Sequence, residues 1–339
     1  MKARRAGWPA CWMRWCVWHV LLLPLSWLFG FLASLRRLLY GLRLLPQKRL
    51  PVPVVVVGNI TVGGSGKTPL TVWLVQELVK RGFRPGVVSR GYGGRAAGVT
   101  EVHPDSDAHE VGDEPLLLAQ HTACPVFVGR DRAAAGRALL HAHPYCDVII
   151  CDDGLQHYRL ARDVEVAVLD ERGVGNGLLL PAGPLREGRW RLRTVLAVVR
   201  NGCAATHANE FCMKLVPSGF YSLQDASVRV EAGMFNGRWI HAVAGIGNPE
   251  RFFTLLRQHD IAHEAHGFAD HHVFSAGDFN FVRSDGWVLM TEKDAVKCRY
   301  LAKETPALHN AWVCAVSAEL PAELADQVAE QLSYYKGKS

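Results

Sequence analysis

The segment Val54-Val55-Val56-Val57-Gly58-Asn59-Ile60-Thr61-Val62-Gly63-Gly64-Ser65-Gly66-Lys67-Thr68-Pro69 decides how this chain is read. Its run of β-branched residues at 54–57 predicts a strand buried on both faces. Residues 58–68 predict a glycine-rich loop. Pro69 then suits the first turn of a helix, and Leu70, Leu74, Leu78 and Val79 give that helix an apolar face up to Gly82. In this strand–loop–helix setting, Thr61, Val62, Gly63, Gly64, Ser65, Gly66, Lys67 and Thr68 approximate the phosphate-binding pattern GxxxxGK[ST]. Glycines let successive backbone N–H groups turn inward around phosphates, and the helix N-terminus adds its dipole. Lys67 would neutralise β- and γ-phosphates, and the Thr68 hydroxyl would ligate Mg²⁺. Thr61 stands where the pattern has its first glycine, with Gly63 and Gly64 supplying the flexibility.

Outward from this segment the chain alternates strand and helix patterns. Strands are expected at 86–89, 125–128, 147–151, 164–169 and 195–199, with a helix at 132–141. The pattern restarts after residue 200, with strands at 239–244, 287–290 and 312–316 and helices at 250–258 and 321–335. Such alternation predicts an α/β fold, a P-loop NTPase-like parallel sheet flanked by helices. The expected organisation is a membrane-associated segment over 1–50, a P-loop core over 51–220 and a smaller C-terminal α/β domain over 221–339.

The net charge of +6 belongs to one end of the molecule. Residues 1–50 carry nine basic and no acidic side chains, leaving 29 basic and 32 acidic in the rest. A nucleic-acid protein would carry a basic patch on its folded body, so this distribution excludes that class. Residues 15–35 lack formal charge, with His19 as the one titratable interruption, and as a helix would span about 31 Å, close to a bilayer core. Five tryptophans cluster between Trp8 and Trp27, a preference of the headgroup interface. Arg36, Arg37, Arg43, Lys48 and Arg49, with leucines between them, predict a basic amphipathic helix on an anionic lipid surface. Both flanks are basic, so charge gives no orientation. The expectation is a helix in or along the membrane, kinked at Pro24, with the body on the cytoplasmic side. A cleaved signal peptide would export a body rich in unpaired cysteines. The nine cysteines are odd in number and no pair has CxxC spacing, so neither a zinc site nor a disulfide framework is indicated.

Several acidic and histidine groups could carry chemistry. Val148-Ile-Ile-Cys-Asp152-Asp153-Gly154 is an apolar strand ending in two carboxylates. P-loop enzymes bring an acid to Mg²⁺ in this way, and a strand-end turn would look similar. Gly112-Asp113-Glu114-Pro115 precedes a helix, where acids either stabilise the N-terminus or, at Asp113, accept a proton from an acceptor hydroxyl. Asp270-His271-His272 is either a surface cluster or a histidine that assists a carboxylate or contacts phosphate. In the loop 181–187, Arg186 could bind phosphate and Glu187 could help hold Mg²⁺, or the two could form a surface ion pair.

Taken together, these motifs resemble the tetraacyldisaccharide 4′-kinase (lipid A 4′-kinase) family. The resemblance is carried by segments 53–59, 61–69, 88–94, 112–115, 152–160, 175–176, 181–187, 269–271 and 290–297, which run through almost the whole chain. The family shares the threonine at position 61. The resemblance implies transfer of the ATP γ-phosphate to the 4′-hydroxyl of a tetraacylated glucosamine disaccharide 1-phosphate, at the cytoplasmic face of a Gram-negative inner membrane. It implies Asp113 as catalytic base with His271 as its partner and Lys67 at the phosphates. It also implies a magnesium group of Thr68, Asp152 and Asp153, with Glu187 a further candidate. A substrate with four acyl chains stays in the bilayer, since each buried CH₂ is worth about 0.8 kcal/mol, and the enzyme must go to it.

Two other classes fit parts of the sequence. A membrane-targeted nucleotide switch would combine a phosphate loop with a lipid-binding helix. It would want an N/TKxD motif, which Thr291-Glu-Lys-Asp294 only imitates, with the lysine one place late. A membrane scaffold would leave the phosphate loop unexplained.

Overall fold

The structure is a computed structural model describing residues 10–13, 17–202, 205, 207–283 and 285–336. The chain forms two compact units, Pro9–Lys214 with Ala318–Ser339, and Leu215–Ser317.

In the first unit the strands are β1 (Val54–Gly58), β2 (Pro85–Ser89), β3 (Thr100–Val102), β4 (Val126–Val128), β5 (Val148–Asp152), β6 (Val164–Asp170), β7 (Ala197–Asn201) and β8 (Glu210–Ser222), whose end runs into the second unit. Their order is β8-β7-β6-β1-β5-β2-β4-β3, parallel except at β3–β4. Val54–Val57 are buried on both faces, as the β-branched run requires. The helices are α1 (Val17–Gly41), α2 (Lys67–Lys80), the short α3 (Ala108–Val111), α4 (Asp113–His121) and α5 (Arg132–Ala142). Asp131 caps α5 by accepting from the backbone N–H groups of Ala133 and Ala134. Leu50 packs where a side chain at position 136 would stand, 2.5 Å from a Cβ built on Gly136.

Helix α1 has 25 residues and is the one helix among the described residues long and apolar enough to cross a membrane. Trp18, Leu21, Leu25, Trp27 and Phe31 are exposed, whereas His19 and Ser26 are buried. These buried positions share a face with Gly30, where a Cβ would come within 2.5 Å of Leu179. Pro24 lies inside this single helix. The separate basic amphipathic helix expected after residue 35 does not form. Arg36 and Arg37 lie within α1, which continues to Gly41, and beyond it the chain turns, with Arg43 at φ 59°. Lys48 pairs with Asp131 at 2.8 Å and Arg49 with Asp163 at 2.9 Å. These two cations are held by acids of the body. Trp8 and Trp15 of the expected aromatic cluster lie outside the described residues.

In the second unit β9 (Arg229–Val230), β10 (Ile240–Ala244), β11 (Glu264–Gly267), β12 (Trp287–Thr291) and β13 (Ala311–Glu319) join the end of β8, in the order β11-β10-β12-β13-β8 with β9 on β8. The β11–β10, β10–β12 and β12–β13 pairs are parallel. Helices α6 (Pro249–Gln258) and α7 (Glu292–Cys298) follow β10 and β12. The last helix, α8 (Glu323–Lys336), belongs to the first unit rather than to a 221–339 domain. It buries Leu324, Ala325, Val328 and Leu332, and its Asp326 accepts from both Nε and Nη2 of Arg81, just past α2.

Candidate active site

Strand β1 lies between β5 and β6, and the chain extends the sheet first on the β5 side and later on the β6 side. The loop from β1 to α2 therefore opens at a switch point, where α/β sheets bind ligands. Three consecutive carbonyls of this loop are held by side chains from three different places. Asn59 Nδ2 donates to the Gly63 carbonyl at 3.3 Å, Arg172 Nη2 to Gly64 at 2.9 Å, and Asn201 Nδ2 to Ser65 at 3.0 Å. Arg172 is itself fixed by Asp170 through Nε at 2.8 Å. In a trans peptide the N–H points opposite to the preceding C=O. Pinning these carbonyls outward thus turns the N–H groups of Gly64, Ser65 and Gly66 the other way, which is the cradle an anion needs. Gly63 and Gly66 have φ of 96° and 93°. A Cβ on Gly66 would lie 2.1 Å from Asn201 Nδ2, so glycine is required there twice over.

A second loop runs beside the first. The Val62 N–H donates to the Pro184 carbonyl at 3.0 Å, and the Arg186 N–H to Ile60 at 2.7 Å. Its Glu187 is buried, accepting from the Tyr158 hydroxyl and from Gln156 Nε2 at 3.0 Å, with Arg191 Nε at 3.7 Å. Both Glu187 oxygens are therefore engaged by protein groups.

Lys67, the first residue of α2, is buried, with Nζ 3.5 Å from Asp153 Oδ1. Arg186 Nη1 stands 3.6 Å from the same oxygen. Burial works to raise the Asp153 carboxyl, but the Lys67 and Arg186 cations outweigh it and hold it below the usual range. Asp153 has φ 48°, which turns the chain sharply after β5. Asp152 is fully buried. Its Oδ1 accepts from Thr71 Oγ1 at 3.1 Å, and its Oδ2 has no hydrogen-bond partner among the described residues. Burial, reinforced by Glu114, pushes Asp152 up to about 7. A fully buried carboxylate with a bare oxygen, next to a second carboxylate, is a donor set suited to a hard cation such as Mg²⁺. Thr68 follows Lys67 in the first turn of α2 and is partly exposed.

Asp113 is the buried first residue of α4, its Oδ1 accepting from the Glu114 N–H at 2.9 Å. Gly112 precedes it at φ 93°, where a Cβ would meet the Tyr92 carbonyl at 2.7 Å. In the second unit His271, at φ 58°, has Nε2 3.4 Å from Lys293 Nζ and 3.9 Å from Asp270 Oδ1. His272 Nε2 lies 3.2 Å from Asp278.

The structure thus gathers Lys67, Asp152, Asp153 and Arg186 at the ends of β1 and β5, with Glu187 anchoring the adjoining loop. Asn59, Gln156, Tyr158, Arg172 and Asn201 went unread in the sequence, as did the buried Arg132. Their signal was position: Asn201 ends β7 and Asp170 ends β6, on the same sheet edge as the loop. Thr291 and Asp294, which imitate a guanine-specificity motif, are spent on the fold. Thr291 caps α7 by accepting from the Asp294 N–H, and the buried Asp294 accepts from the Gly245 N–H at 2.9 Å.

A family model described as tetraacyldisaccharide-1-P 4′-kinase matches residues 18–333. The chain belongs to this family. It is 53% identical to the tetraacyldisaccharide 4′-kinase of Azoarcus sp. (strain BH72), covering 93% of this chain and 92% of that one. Against the protein of the same name from Aromatoleum aromaticum it is 51% identical, covering 96% and 97%. A solved structure of LpxK from Aquifex aeolicus in complex with ATP superposes with a TM-score of 0.77 at 28% identity, covering 93% of this chain and all of that one. As a tetraacyldisaccharide 4′-kinase family member, the chain is an enzyme, a phosphotransferase. The family's α/β fold is the one described above.

Proposed function

We propose that this protein transfers the γ-phosphate of ATP to the 4′-hydroxyl of a tetraacyl-glucosamine disaccharide 1-phosphate, giving the 1,4′-bisphosphate of lipid A biosynthesis. The observation that carries the proposal is the loop 61–68 with its three outward-pinned carbonyls, set beside Lys67 and the Asp152–Asp153 pair, in a member of this family.

The residues divide the work as follows. The N–H groups of Gly64, Ser65 and Gly66 and the Lys67 ammonium bind the triphosphate and follow charge as it moves during transfer. Thr68, Asp152 and Asp153 would hold Mg²⁺, which would supply charge neutralisation at the phosphates. The bare Asp152 Oδ2 is the oxygen left free for this. Glu187, whose oxygens are taken by Tyr158 and Gln156, positions the loop bearing Arg186 instead. Arg186 adds a second cation near the transferred group. Asp113 accepts the proton of the sugar hydroxyl, a weak nucleophile until that proton has somewhere to go. His271, in the second unit, is a further residue that the family resemblance assigns to catalysis. Helix α1 places the enzyme on the cytoplasmic face of the inner membrane, where an acylated acceptor resides, against a surface of anionic lipid.

The test is a product-identifying assay of full-length protein with ATP, Mg²⁺ and the lipid disaccharide in detergent micelles. Mass spectrometry should locate one new phosphate at the 4′ position. Asp113→Ala should lower kcat with little change in KM for ATP. Folded protein that binds ATP without phosphorylating the lipid would overturn the proposal.

A further inference from the structure

A histidine–glutamate cluster in the second unit lies outside the chemistry described so far. Parallel strands β10 and β11 pair with His241 opposite Glu264 and Val243 opposite His266. Side chains two apart on a strand share a face, so Glu264 and His266 project beside His241. Their donor atoms converge. His241 Nδ1 is 3.1 Å from His266 Nε2 and 3.5 Å from Glu264 Oε2, and His266 Nε2 is 3.8 Å from Glu264 Oε1. One ligand atom from each lies within 4.8 Å of the others.

Two nitrogens bound tetrahedrally at about 2.05 Å from zinc would be roughly 3.3 Å apart. The observed separations are close to that before any ion is present. The rings are also held in place. His266 stacks flat on Phe281, with centroids 3.6 Å apart and planes 6° from parallel. His241 is buried, with its ring 5.3 Å from that of Phe281. Glu264 is 54% exposed, which leaves a way in from solvent. Two features oppose a cation. The field of Arg283 reaches His241. Coordination through His241 Nδ1 also places a proton on Nε2, which is buried without a hydrogen-bond partner against Gly286, where a Cβ would lie 3.2 Å away. The Glu264 carboxylate and the metal–nitrogen bonds act against these costs.

We infer that His241, His266 and Glu264 form a binding site for a zinc-class divalent cation, with the fourth position open to water. Two imidazoles and one carboxylate suit zinc and disfavour Mg²⁺, which takes oxygen ligands. The site ties edge strand β11 to its neighbour, so occupancy stabilises the fold by mass action. The inference does not depend on the kinase reading.

The experiment uses full-length protein stripped with a chelator and desalted. Zn²⁺ is titrated against a chromophoric chelator, and Co²⁺ is added in parallel to report geometry through its visible spectrum. Wild-type protein should bind one equivalent, give the intense bands of a tetrahedral Co²⁺ site and unfold at a higher temperature with Zn²⁺. His266→Ala and Glu264→Gln should each weaken binding by at least about tenfold and abolish the thermal shift. Glu264→Gln changes an exposed side chain, so a folding defect will not mask the result. Equal Zn²⁺ affinity in wild type and both variants, or no retained Zn²⁺ in wild type, would overturn the inference.

Discussion

Asn201 donates to the Ser65 carbonyl through the very space that a side chain on Gly66 would occupy. The end of β7 and the phosphate loop are thereby fitted to one another at a single hydrogen bond. Gly66→Ala should force Asn201 away and place alanine at a left-handed φ, which costs about 1–2 kcal/mol before the clash is counted. The expected outcome is a loss of ATP affinity of about tenfold or more, read by calorimetric titration. Asn201→Ala frees the carbonyl without straining the backbone, so its loss of affinity should be smaller. Unchanged affinity in Gly66→Ala would break the account of the cradle.

Asp152 gives the site a pH dependence. Its carboxyl lies at about 7 in the folded protein against 3.8 for the free group. Between these values the folded state holds a proton that the unfolded state has lost, so stability falls as pH rises through that window. Without metal, urea unfolding should show this slope in the wild type and a flatter one in Asp152→Asn. Because Mg²⁺ needs the ionised form, its apparent affinity should drop roughly tenfold per pH unit below about 7.

Asp131 has the opposite sign. Burial works to raise it, but hydrogen bonds from Lys48 and the Ala134 N–H hold it at about 2. It thus contributes stability that is present above pH 3.8 and lost as pH falls towards 2. Asp131→Ala also removes the α5 cap, worth about 1 kcal/mol. A denaturation midpoint unchanged at pH 7 and at pH 3 would contradict this.

Tyr158→Phe removes one of two neutral donors to the buried Glu187 carboxylate. Hydrogen bonds to charged groups are worth about 1.5–3 kcal/mol, so the unfolding free energy should fall by that order. If Glu187 holds the loop rather than a metal, Mg²⁺ affinity should change far less than stability. A selective loss of Mg²⁺ binding would return Glu187 to the ligand set.

What could be read from the sequence was local. The strand at 54–57, the loop and Lys67 lie within 14 residues, and their chemistry needs no distant partner to be recognised. Asp152 and Asp153 were legible because an apolar strand ends on them. Two of the clamps were not, because Arg172 and Asn201 reach Gly64 and Ser65 only through the sheet, across 108 and 136 residues, whereas Asn59 is local to the loop and its part depends on how the loop folds back on it. Strand β8 was hidden by Pro217 and by Gly219, whose φ of 135° breaks any regular alternation. The return of α8 to the first unit was invisible because its amphipathic pattern says that it packs, not against what. The basic residues after 35 were read as one lipid-facing surface, and the acids that claim Lys48 and Arg49 stand 83 and 114 residues away.

Helix α1 does more than offer an oily surface. Ser26 bonds to the Leu179 carbonyl, Asn176 reaches His19, and Arg37 lies 4.2 Å over the Trp190 ring. These contacts fall on either side of the 184–186 stretch that hydrogen-bonds along the phosphate loop. A purification that strips this helix of its natural surroundings therefore removes a buttress as well as a solvent. Catalytic constants measured in different detergents will differ even for ATP, a reactant that never enters the bilayer.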